Sequence, residues 1–139
     1  MTALTHFRAE PRIAFVTEKR AEVLRSRALD MARHAVDIAS DHQARDIALL
    51  DVHEICSYAD AFVLLSAESK RQIEAIVFAL DKGLTEVGSR LFSVEGEAES
   101  GWVLMDFGDV IVHIFAPEER DFYGLEQLWR RAPVLLRIQ

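Results

Sequence analysis

Two carboxylates three residues apart, Asp106 and Asp109, bracket Phe107-Gly108 within an otherwise apolar stretch, and Trp102 stands four residues ahead of the first. Paired acids are the raw material of proton transfer and metal binding, and a tryptophan among acids is the raw material of a protein contact. The enzymatic options fail on spacing. Asp106-Phe107-Gly108 copies the order of the kinase metal-binding triplet, yet no G-x-G-x-x-G loop accompanies it. His53-Glu54-Ile55-Cys56 lacks both the H-x-E and the P-C-x-x-C halves of a zinc deaminase. A nucleotidyl-transferring site would set acids at D-x-D on one strand after a Gly-Ser loop, and Gly88-Ser89 precedes no such pair. His113 lies in an apolar run with no nucleophile patterned beside it, which reads as a satisfied core histidine. Ser66 and Ser69 with Arg71 could take a phosphate at a helix start, but capping explains the same residues at less cost. We therefore expect no catalytic residue, no metal ligand and no cofactor.

Charge is more informative by place than by total. The chain carries net −7, and the stretch from Glu95 to Glu126 holds nine acids against the single base Arg120, leaving +1 for everything else. Such a field repels phosphate backbones, disfavours direct nucleic-acid recognition and suits a basic partner, acting mainly on encounter rate and specificity. A solvated acidic face explains the count equally well. The one cysteine, Cys56, excludes an internal disulfide and a Cys-rich zinc site. No apolar run reaches the roughly 18 residues of a membrane span, and the first fifteen residues lack a signal-peptide core, so the expected location is the cytoplasm.

The elements that must position these residues follow from periodicity. Residues 1–16 have no clear period and read as a loosely ordered N-terminal arm, with residues 17–139 as one domain. Thr17 is the expected cap of a first helix in which Leu24, Ala28, Met31, Ala35 and Ile38 share a face, ending near Asp41-His42. Asp46–Val52 and Ala61–Ser66 read as strands, the second apolar throughout and so covered on both faces. Ser69 caps a second helix whose Ile73, Ile76, Val77, Leu80, Leu84 and Val87 form one stripe, closed at Gly88. Arg90–Val94, Gly101–Phe107 and Asp109–Phe115 complete about five strands, the last two inner and joined at Phe107-Gly108, where Asp106 and Asp109 could cap backbone N–H groups. Pro117 opens a short last helix with Leu125, Leu128 and Trp129 on its apolar side. The expected fold is α+β: a mixed sheet with flanking helices and one right-handed crossover that makes two strands parallel.

Three motifs carry a resemblance. Ala59-Asp60-x-Phe62-Val63-x-x-Ser66-x-x-Ser69-x-Arg71-Gln72 comes first. Glu95-Gly96 and then Gly101-Trp102-Val103-Leu104-x-Asp106-x-Gly108-Asp109-Val110-Ile111-Val112-His113-Ile114-Phe115 is the most telling. Arg120-x-Phe122-Tyr123-x-Leu125-Glu126-x-Leu128-Trp129 follows. In this order and spacing, from about Ala28 to Pro133, the chain resembles the Iojap-like ribosomal silencing factors. It departs from them at Ala61, where many members have an aromatic residue, and at Ala67, where many have glycine.

The resemblance implies a nucleotidyltransferase-like fold without transferase activity. It also implies binding to the L-fourteen protein of the large ribosomal subunit, a block on joining of the small subunit, repression of translation, and a homodimer in isolation. Pattern alone favours Trp102 as a core residue; the resemblance and the surrounding acids make it the first candidate contact, with Asp106, Asp109 and Glu95 as charged neighbours and Gly101 as a backbone feature beside them. Tyr123 and Trp129 stand open between packing on the sheet and a dimer contact. The alternative reading is a nucleotide-binding or nucleotidyl-transferring enzyme of the same fold, since architecture does not fix function.

Overall fold

A computed structural model describes residues 11–139, with side chains from residue 17 onward. Helix α1 (Pro11–Asp41) leads into β1 (Arg45–Asp51) and β2 (Ala61–Ser66), followed by helix α2 (Lys70–Glu86). Strands β3 (Ser93–Glu97), β4 (Trp102–Asp106) and β5 (Val110–Phe115) come next, then short helices α3 (Pro117–Tyr123) and α4 (Leu125–Leu128), and last β6 (Val134–Ile138). The six strands lie in the order β3-β4-β5-β2-β1-β6. Only β2 and β5 run parallel, Ala61 opposite Val110 through Ser66 opposite Phe115, so the expected parallel pair is this one.

Helix α1 begins at Pro11, not at Thr17. The apolar period starts only at Leu24, but Glu18-Lys19-Arg20-Ala21 are good helix formers and prolong the helix as a solvated rod. The expected arm is thus helical from residue 11, and its first ten residues lie outside the described part. Further along, Ala28, Ala32, Ala35 and Ala39 are buried at i, i+4, i+7 and i+11, a stripe small enough to let α1 lie close on the sheet. The neighbouring helix comes just as near: a Cβ on Gly83 of α2 would sit 2.5 Å from Ile38 Cδ1. Helix α2 has the expected cap, Ser69 accepting from the Gln72 N–H at 3.1 Å, and buries Ile73, Ile76, Leu80 and Leu84.

The two helices cover one sheet face, where Ile47, Leu49, Val63, Leu65, Val103, Met105, Val112 and Ile114 form the main core. The opposite face carries Ala48, Leu50, Phe62, Leu64, Ile111 and Phe115 with Leu125, Trp129 and Ala132 packed among them, while Trp102 and Leu104 at its β3–β4 end are only partly buried. β3 sits three residues later than expected and every residue in it is exposed, so burial left no pattern there to read. The expected single last helix is two, broken at Gly124 with φ +57°. The sixth strand, Val134–Ile138, pairs antiparallel with β1. It was not anticipated: it is short, and four of its five residues are exposed.

One polar knot holds this terminal region to the sheet. Buried Arg120 donates from Nη1 to the Asp46 carbonyl at 2.5 Å and to Ser66 Oγ at 2.9 Å, and from Nε and Nη2 to the Glu126 carboxylate at 3.1 and 3.0 Å. Arg137 of β6 joins the same carboxylate at 3.4 Å. A guanidinium satisfied in this way is one of the few charges that tolerate burial. Among the described residues no helix is long and apolar enough to cross a membrane.

Candidate protein-docking face

The partly exposed β3–β4 end of the second sheet face is built by register. Across β3 and β4, Ser93 opposes Asp106, Glu95 opposes Leu104 and Glu97 opposes Trp102. Across β4 and β5, Asp106 opposes Ile111, Leu104 opposes His113 and Trp102 opposes Phe115. Because directly opposed residues in an antiparallel pair share a face, Glu95, Trp102, Leu104 and Asp106 stand on one side with His113 and Phe115. Alternate residues of β4, namely Val103 and Met105, point into the main core.

Trp102 is partly exposed and held from three directions. Phe115 stacks on it with centroids 5.0 Å apart at 28°, and Tyr123 of α3 lies against it at 4.6 Å. Its indole Nε1–H donates to His113 Nδ1 at 3.3 Å. His113 is only 4% exposed, and burial pushes its pKa down to about 4, so the ring is neutral near pH 7. With Nδ1 accepting, the ring proton belongs on Nε2, which is buried without a hydrogen-bond partner. The expected satisfied core histidine is therefore satisfied on one nitrogen only. It is edge-on to Phe62 at 5.2 Å.

The other candidates divide. Glu95 is exposed on the edge strand, and with Gly96, Ser100, Trp102, Leu104 and Tyr123 it lines a hollow of about 260 Å³. Asp106 accepts from the Gly108 N–H at 2.7 Å, the turn-capping role weighed for it. Asp109 is exposed beyond the turn and lines a different cavity, of about 710 Å³, with Arg27, His34, Ser89 and Arg90. The two aspartates thus do not converge on a common ligand position. Gly101 is buried at φ +83°, and a Cβ there would come within 2.5 Å of Glu119 Oε1, so its part is backbone shape. Tyr123 joins the Trp102 group. Trp129 instead lies edge-on to Phe62 at 5.1 Å. Ser69 caps α2, and Ser66 is buried against Arg120, away from any phosphate role.

Two contributors were missed. Phe122, 81% exposed, meets Tyr123 edge-on at 5.1 Å, and Leu128 is 72% exposed. Both lie in the third motif, but helical spacing had turned the apolar side of this segment inward. Through Tyr123, Phe122 adds apolar area beside Trp102 to a face bordered by Glu95 and Asp106, the composition of an interaction surface.

Residues 25–138 match the family model described as ribosomal silencing factor during starvation. The chain is 39% identical over 100 residues to ribosomal silencing factor RsfS of Bacillus subtilis, covering 72% of this chain and 85% of that one. It is 36% identical over 106 residues to the protein of the same name from Halalkalibacterium halodurans, covering 76% and 91%. The crystal structure of a Chromobacterium violaceum protein superposes with a TM-score of 0.70 at 31% identity, covering 73% of this chain and 85% of that one. With a match over most of its length and the mixed-sheet fold of a solved relative, the chain belongs to the ribosomal silencing factor family.

Proposed function

We propose that this protein binds the large ribosomal subunit through the L-fourteen protein and represses translation by standing where the small subunit would dock. The observation that carries this reading is the partly exposed Trp102 at the β3–β4 end of the sheet, bounded by Glu95 and backed by Tyr123 and Phe122. An aromatic anchor within an acidic rim suits a basic protein surface. The anchor supplies buried area, and the rim supplies steering and orientation. Obstruction needs no catalysis, only an interface near the standard size of roughly 800 Å² per partner.

The test is sedimentation of the pure protein with separated subunits, then with both together. The expected result is co-sedimentation with large subunits and a dose-dependent loss of joined ribosomes. Subunits that join normally at every dose overturn the proposal.

A further inference from the structure

The hollow beside Trp102 has a chemistry of its own. Its lining combines one carboxylate, Glu95, two aromatic rings, Trp102 and Tyr123, the apolar Leu104, and Gly96 and Ser100. At about 260 Å³ it lies below the range of roughly 300–1,000 Å³ usual for small-molecule clefts, and suits a single long side chain. The larger cavity around Arg27, Asp30, Arg90 and Asp109 mixes both signs of charge and selects neither.

What Trp102 offers to this hollow is set by its inner bond. The indole N–H, its one hydrogen-bond donor, is spent on His113 Nδ1. The ring therefore has no donor left to offer an anionic acceptor, and its open π surface attracts a cation. Glu95 supplies the opposite charge on the same strand face. Gly96 keeps the backbone tight here: at φ +83° any Cβ would collide with the Trp102 carbonyl oxygen. Strands β3 and β4 are thus drawn together at the floor of the hollow.

We propose that this hollow is a receptor for one arginine side chain, with the guanidinium lying against the Trp102 and Tyr123 rings and hydrogen-bonded to the Glu95 carboxylate. Arginine fits better than lysine because its planar fork both stacks on an aromatic ring and matches a carboxylate with two N–H groups. That the arginine belongs to a ribosomal protein rests on the docking reading above; the pocket itself does not.

The experiment titrates N-acetyl-arginine amide into the full chain and follows backbone amides and the two indole N–H signals by NMR. Trp129 serves as the internal control. Saturable shifts at Glu95, Gly96 and Trp102, absent with the neutral citrulline analogue and about tenfold weaker in Glu95→Gln, are expected. Glu95 is exposed on an edge strand, so this variant keeps the fold. No shift, an equal response to citrulline, or unchanged binding in Glu95→Gln overturns the pocket. Arginine binding without large-subunit binding would instead overturn the docking reading and leave the pocket standing. Undiminished subunit binding by Glu95→Gln would remove the pocket from that interface.

Discussion

Arg120 grips Glu126 through two parallel hydrogen bonds, Nε and Nη2 to the two carboxylate oxygens at 3.1 and 3.0 Å, across the break at Gly124. The pair joins two helices too short to be stable alone, and through Asp46 and Ser66 it fastens both to the sheet. Removing the guanidinium would leave a buried hydroxyl and a carbonyl without this donor, and Glu126 with only the longer contact from Arg137. Arg120→Ala should therefore cost about 3–5 kcal/mol of stability, measured by urea unfolding. Arg120→Lys should recover only part of this, because one ammonium cannot replace the fork. A loss within error for both variants would show the knot to be incidental.

Acid stability should report on His113. Its folded pKa of about 4 lies below the ordinary 6.5, so the unfolded chain binds more protons between these values and stability falls as pH drops through that window. The full contribution is on the order of 3 kcal/mol. Glu126 is held below its ordinary 4.5, burial opposing and Arg120 and Arg137 prevailing, so its share is lost only at still lower pH. The segment from pH 6.5 to 4.5 therefore carries the contribution of His113. His113→Gln should flatten it in a pH series of thermal unfolding, and an unchanged slope would assign the acid sensitivity elsewhere.

Trp102→Ala should weaken large-subunit binding by about 2 kcal/mol or more, as loss of a central aromatic anchor does. The ring also touches Phe115 and Tyr123, so the variant must first be shown to be folded by circular dichroism. Phe122→Ser, which alters an almost fully exposed ring, offers a check with less risk to the core and should give a smaller loss in the same direction. Full affinity in both variants would move the interface off this face.

Association should slow as salt rises. With eight net negative charges between Glu95 and Glu126, a basic partner is drawn in over a distance that shrinks below about 10 Å above 0.1 M salt. Stopped-flow association across a salt series should show the rate constant falling and the dissociation rate changing little. A rate constant indifferent to salt would separate the acidic stretch from binding.

Sequence periodicity reported most faithfully where burial was complete. Ala61–Ser66 and the Ile73–Leu84 stripe are buried as their apolar patterns predict, and a parallel pair is present as expected, although which strands form it, β2 and β5, was not legible. It failed where elements are exposed: β3 has no inward side, β6 sits at the sheet edge, and α1 is exposed from residue 17 to residue 24. At the candidate face, Trp102 and Glu95 were legible as types, but their company was not. That Tyr123 lies on Trp102 while Trp129 lies on Phe62 depends on the turn at Gly124, and a linear pattern cannot say on which ring each will land. Asp106 and Asp109, three apart in sequence, face different surroundings because the turn between them separates strand from loop.

The outermost strand bears on when the molecule becomes itself. β6 sets Ile138 opposite Ile47, ninety-one positions away along the chain. A contact of that span is formed late, since the entropy of closing the intervening loop comes first. During synthesis helix α1 and the β1–β2 hairpin are made before the strand that seals β1 and carries Arg137 to Glu126. Completion of the native state therefore waits for β6, however early the rest of the sheet has paired.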